Sequence, residues 1–127
     1  MASFKIAQNA TFKAEVDIPR VGLDPVKVEF EFKYRDRKEL SKYHDKWNKE
    51  RDALIAESMK DGATWEEATD AQVRLEVGQL KEIIVGWGFD DEFGEESLTE
   101  LALTCVGAPS AILNAYKKAY ELASRGN

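Results

Sequence analysis

The chain has one cysteine and one histidine among its 127 residues. A lone thiol makes no internal disulfide and suits a reducing compartment. With His44 the only imidazole, a histidine-based metal site would need carboxylates or Cys105 for every other ligand. The chain lacks a Ser-His-Asp arrangement around a nucleophile motif, and it lacks a glycine-rich phosphate loop. An enzyme is the class with least support, and no catalytic residue, metal or cofactor is expected. Long apolar runs are also missing. None approaches the roughly 20 residues a membrane helix needs, and the opening MASFKIAQNA has no apolar signal core, so neither a membrane nor secretion is expected. Positive charge is in deficit: 18 basic residues face 24 acidic ones, a net charge of −6. Proteins that grip phosphates by charge are basic, so no nucleic-acid partner is expected. Internal repeats, low-complexity segments and linkers are absent as well. What remains is one domain over residues 1–127, with 43% hydrophobic residues to fill a core.

The first third alternates. Phe4, Ile6, Ala10, Phe12, Ala14, Val16 and Ile18 share one parity, and charged or polar residues share the other. A period of two predicts a half-buried strand, best from about 10 to 18. Pro19 is expected to end it, with Pro19–Pro25 as a loop. Val26, Val28, Phe30, Phe32 and Tyr34 then predict a second strand to about residue 35. Two such strands make a hairpin. A lone hairpin is marginal in water, so its apolar face must meet helices or another subunit.

Helical patterns fill residues 36–127. Asp36 with Glu39 reads as a capping box opening a long helix that Asp61-Gly62 closes. Leu40, Tyr43, Trp47, Leu54, Ile55 and Met59 give it a thin apolar stripe, which predicts an elongated helix, partly exposed or bound to a neighbour. Thr64 with Glu67 is a second box, and Val73, Val77, Leu80, Ile84 and Trp87 predict the inner face of a helix from about 65 to 85, with Thr69-Asp70 a possible break. Gly78 inside it suggests close packing against another helix. Ser97 with Glu100 predicts a third start, and Pro109 after Gly107 suits the first turn of a fourth helix. The fold class expected is α+β: an N-terminal β-hairpin over 1–35, then about four α-helices, mostly helical by count.

The one tempting site is the loop Phe89–Glu96, with two phenylalanines and the acids Asp90, Asp91, Glu92, Glu95 and Glu96. A calcium loop wants Gly at its sixth position and Glu at its twelfth; counted from Asp90, Gly94 is fifth and Leu101 twelfth, so the match fails. Carboxylates entering a helix suit its dipole, so a solvated entry loop and a partner-binding loop both remain open. Trp87, Phe89 and Phe93 beside glycines are either core plugs or partly exposed anchors. Tyr116 and Tyr120, four apart, share a helix face and carry the same two readings.

The segment Gly86-Trp87, Phe89-Asp90, Phe93, Glu95-Glu96-Ser97-Leu98, Leu101, the Pro109 turn, and Ala111-Ile112 leading to Ala115-Tyr116, with the closing Ser124-Arg125-Gly126-Asn127, resembles the tail assembly chaperones of long-tailed (lambdoid-type) bacteriophages. The likeness is strongest over the last third. Gly107-Ala108-Pro109 is a tighter turn than that family suggests, and Gly126 stands where a lysine is more usual.

The resemblance implies a protein of the host bacterial cytoplasm, absent from the mature virion. It would bind the tape measure protein of a siphovirus tail, keep its apolar surfaces from aggregating and help recruit the tail tube protein. It also implies weak homo-oligomers and, in many members, a longer form made by translational frameshifting. The partner contact is expected in the C-terminal half, on Trp87, Phe89, Phe93, Ile112, Tyr116 and Tyr120. Acids nearby would select a basic or amphipathic helix. Two alternatives stay open: a head–tail connector or tail terminator, which would remain in the particle, and an acidic regulatory binding protein.

Overall fold

A computed structural model describes residues 5–125; Phe4 and the terminal Gly126-Asn127 lie outside it. The alternating segment forms β1 (Thr11–Arg20) and β2 (Leu23–Lys33), antiparallel and in register from Thr11 opposite Lys33 to Ile18 opposite Val26. The parity read from sequence holds through the middle of the hairpin and fails at its ends, where Ile6 lies before β1 and Ile6, Val26 and Tyr34 are exposed. Val16, Ile18, Val28, Phe30 and Phe32 are buried, while Lys13, Glu15, Asp17, Lys27 and Glu29 are exposed. Exposed ion pairs Lys13–Glu29 (3.8 Å) and Lys27–Asp17 (3.4 Å) cross the outer face.

The connection is much shorter than the seven residues expected. Pro19 does not end the first strand, which runs on to Arg20 opposite Leu23. Only Val21 and Gly22 turn the chain, and Gly22 takes φ 74°, a left-handed conformation that glycine adopts without strain. Between Ile18 and Arg20 the register shifts, so Pro19 faces both Asp24 and Pro25. A bulge leaves residues unpaired, and a proline there forfeits no ladder hydrogen bond. Both prolines are therefore accommodated inside strands.

The expected capping of the long helix is present. Asp36 caps α1 (Arg37–Ser58), its Oδ1 accepting the Glu39 amide at 2.8 Å. Trp47 is the one buried residue of α1; Leu40 and Tyr43 are half-buried, and Ile55 and Met59 point to solvent. Thr64 caps α2 (Trp65–Ile83), which is unbroken at Thr69-Asp70. The bond from α1 to α2 is Glu82. One carboxylate oxygen accepts Lys46 Nζ at 2.8 Å and the other accepts Trp47 Nε1 at 3.3 Å.

The next segment departs from the helical expectation. At Ile84 the backbone turns extended (φ −98°, ψ 136°), and β3 (Ile84–Trp87) pairs antiparallel with β2, giving the sheet order β1-β2-β3. A short run such as Ile-Ile-Val-Gly-Trp suits a strand as well as a helix end, and periodicity alone does not separate them. The free edge of β2 decides it. The chain then enters α3 (Glu95–Thr104), turns at Gly107 (φ 91°), and runs back as α4 (Ala108–Ser124) with Pro109 in its first turn. Ser97 is not the cap of α3. It lies inside the first turn, where its Oγ accepts the Gly94 amide at 3.0 Å and donates to the Glu92 carbonyl at 2.7 Å. The hydroxyl thus closes the loop before the helix instead of opening the helix itself.

Helices cover the apolar face of the hairpin. The core joins the sheet residues to Val77, Leu80 and Ile83 of α2, Leu98 and Leu101 of α3, and Ala108, Ile112 and Tyr116 of α4. The expected role of Gly78 fails, because a Cβ built there would meet nothing within 4 Å. No close packing requires a glycine at that point of the helix. Gly78→Ala should therefore raise the unfolding free energy by about 0.5–1 kcal/mol through backbone entropy. A urea melt with an unchanged slope and a higher midpoint would show it; a lower midpoint would mean a hidden packing role.

Candidate partner-binding site

The residues expected to meet a partner are brought together, but largely as a line of rings through the core. Trp87 on β3 stands edge-on to Phe89 (centroids 5.0 Å) and Phe93 (5.1 Å). Both Trp87 (6.1 Å) and Phe89 (5.9 Å) are edge-on to Phe30. Phe30 stacks on Phe32 at 5.9 Å, and Phe32 meets Tyr116 at 5.3 Å. Tyr116 meets Tyr120 at 5.3 Å, and Tyr120 stacks on Tyr34 at 6.0 Å. Ile112 lies one turn before Tyr116 on α4, and both are fully buried. Trp87, Phe89, Phe93 and Tyr120 are half-buried at the two ends of the line.

Polar atoms fix each end. The Trp87 indole N–H donates to the Asp91 carbonyl at 2.8 Å, folding the acidic loop back over the ring. The Tyr116 hydroxyl donates to the Lys33 carbonyl at 2.9 Å and lies 3.2 Å from the Tyr120 hydroxyl, which accepts the Arg35 amide at 3.0 Å. Burial pushes the Tyr116 hydroxyl well above the ordinary tyrosine range, and the bond to Tyr120 adds to the shift. These groups staple α4 to the exit of β2.

The other chemistry-bearing residues are dispersed. Cys105 is half-buried behind Phe89 in a small cavity of about 190 Å³ that Trp87 and Leu101 also line. His44 is edge-on to Trp47 at 5.4 Å. The acids Asp90, Asp91, Glu92, Glu95 and Glu96 are exposed, and Glu95 pairs with Lys81 at 3.2 Å. Among the described residues no group of three or more His, Cys, Asp or Glu is placed to hold a metal ion. Nor is any single helix there long and apolar enough to cross a membrane.

A family model of phage tail assembly chaperones matches residues 1–127, the whole chain. The chain belongs to that family. No curated protein and no solved structure matches it. Its role is that of a tail assembly chaperone, and the arrangement of rings bears on how the family's sequence pattern is used. Gly86-Trp87, Phe89, Phe93 and Tyr116 largely build the fold. The surface residues that the sequence reading passed over are Trp65, 92% exposed, Val106, 72%, and Leu103, 53%. Their signal was present: Trp65 and Leu103 are large apolar side chains standing off the inner stripes of their helices, and Val106 is one in the turn between α3 and α4.

Two measurements follow. Phe89 touches both Phe30 and Trp87 while keeping one side in solvent, so Phe89→Ala should cost about 1–3 kcal/mol of stability, less than a fully buried Phe. An unchanged denaturation midpoint would show that the ring adds nothing to the core. His44 titrates below its ordinary value, chiefly through burial and then through Lys117 on α4, with Asp45 opposing. A depressed value in the folded chain means the unfolded chain binds the proton more tightly. Its contribution to stability is thus complete above about pH 6.5 and is lost as the pH falls through the lower folded value. Melts between pH 5 and 8 should show His44→Gln losing less stability on acidification than the parent chain; parallel curves would exclude the effect.

Proposed function

We propose that this tail assembly chaperone binds the tape measure protein of a long-tailed phage before the tail polymerises. It shields the apolar surface of that long helical protein and presents it to tail tube subunits. It works in the host cytoplasm, self-associates weakly, leaves before the virion matures, and shares the task with any frameshifted longer form. It performs no chemistry. The observation that carries this reading is the match of the whole chain to one chaperone family. Its surface is consistent with the role, since it leaves large apolar side chains outside an already complete core.

Within the originally expected surface, the solvent-facing edges of Trp87, Phe89 and Phe93 are the part a partner reaches, with Tyr120 at the far end of the ring line. Ile112 and Tyr116 support them from beneath. The acids of the loop add a field that attracts basic partners at distances within about 10 Å at moderate salt.

Co-expression tests the reading. The tape measure protein encoded by the same phage should be insoluble alone, soluble with the chaperone, and co-purified with it. Mass spectrometry of finished particles should find the tape measure protein and no chaperone. A tape measure protein that stays insoluble and unbound, or a chaperone retained in stoichiometric amount in the particle, would overturn it. The second result would favour a connector or terminator.

A further inference from the structure

A groove of about 620 Å³ lies between α2 and the corner where α3 turns into α4. Trp65, Val73 and Glu76 line one side, and Leu103, Val106 and Pro109 the other. From Trp65 to Glu76 the wall spans twelve residues of helix, whose eleven rises of about 1.5 Å make roughly 17 Å. That is the length of three helical turns. Ala68 and Ala102 lie in the floor. Such small residues let a helix backbone approach closely between the taller side chains. Three exposed large apolar residues, Trp65, Leu103 and Val106, stand together on its rims.

The groove has a charge as well as a shape. Glu76 is half-buried in its wall, and Gln72 Nε2 is its hydrogen-bond partner at 3.3 Å. Among the described residues no lysine or arginine forms an ion pair with it. Burial holds its carboxyl above the ordinary range, with the Gln72 bond opposing. A carboxylate in that position gains by meeting a cation that arrives with an occupant.

We infer that this groove is a docking site for an amphipathic helix of a partner protein, about three turns long, whose apolar stripe lies between Trp65 and Val106 and whose flanking lysine or arginine pairs with Glu76. A helix laid in an apolar groove and read at three or four anchor positions is a recurrent mode of recognition. The inference rests on the proposed tape-measure contact for the identity of the partner, and it places part of that contact away from the Trp87–Phe93 loop.

The probe is a set of overlapping 20-residue peptides tiling the tape measure protein of the same phage, measured against the full chain by fluorescence of labelled peptide. Peptides with a basic-flanked apolar stripe should bind and become helical. Val106→Glu should weaken them at least tenfold. Glu76→Gln should weaken them about three- to tenfold and flatten their salt dependence, because the pair is lost while the shape is kept. Leu122→Glu, an exposed apolar site on α4 outside the groove, should change nothing. Circular dichroism melts confirm that the variants fold. Peptides that bind folded Val106→Glu and Glu76→Gln as well as the parent would overturn the groove and leave the tape-measure reading standing. Capture of the whole tape measure protein with no peptide bound would also overturn the groove. Failure to capture even the whole protein would remove both.

Discussion

Packing of α4 against the sheet depends on the contact between Tyr116 and Phe32, two fully buried rings 5.3 Å apart. The Tyr116 hydroxyl, donating to the Lys33 carbonyl, fixes where along β2 that contact falls. From there the rings extend one way to Tyr120 and Tyr34, and the other way through Phe30 to Trp87, Phe89 and Phe93. Edge-on and offset aromatic pairs contribute about 0.5–1.5 kcal/mol each beyond simple burial. The line therefore couples both ends of the chain. The hairpin contributes its centre, β3 and the acidic loop one end, and α4 the other. A small three-stranded sheet with helices on one face gains from such a spine, because its outer face carries exposed charged pairs in place of apolar ones.

Residues outside the spine are held differently. α1 is tied to the rest by the half-buried Leu40 and Tyr43, by Trp47, and by the two bonds to Glu82, all within its N-terminal half or just beyond. Its C-terminal half exposes Ile55 and Met59. After a six-residue connection the first turn of α2 exposes Trp65. The α1–α2 hairpin is thus an arm whose base is anchored and whose tip carries apolar groups in solvent. A fold that needed only stability would bury or replace a tryptophan there.

What the sequence made legible follows from how local each signal was. The alternation from Phe12 to Phe32 depends on period alone, and the pairing matches it. Asp36 with Glu39 and Thr64 with Glu67 are contained in four residues, and both caps form. The misses share a different cause. Pro19 and Pro25 sit inside strands because a bulge leaves them out of the paired register, a tertiary arrangement no single strand announces. Ile84 to Trp87 leaves the helix because β2 offers a free edge. Ser97 carries a capping pattern, yet its hydroxyl answers the Gly94 amide and the Glu92 carbonyl. The partner residues were chosen for aromatic content, which burial and binding both favour. Sequence shows that Tyr116 and Trp87 are aromatic; only packing shows that the first is sealed and the second half-sealed.

The same distribution of contacts sets how a groove beside α2 would behave. Its far wall and the Ala102 part of its floor belong to the well-packed body: Pro109 and Ala102 are buried next to core residues of α3 and α4. Its near rim, Trp65, belongs to the end of α2 that few buried side chains hold. Segments with few buried contacts open at lower free energy than the core. One wall is therefore fixed and the opposite rim adjustable. A partner helix that seats against the fixed wall has to order only Trp65 and the first turn of α2, which limits the entropic cost of binding. An adjustable rim also accepts helices of differing bulk, whereas Glu76, farther along α2 and held by Gln72, keeps its place and selects for charge. Shape tolerance and charge selection are thus carried by different residues of one helix.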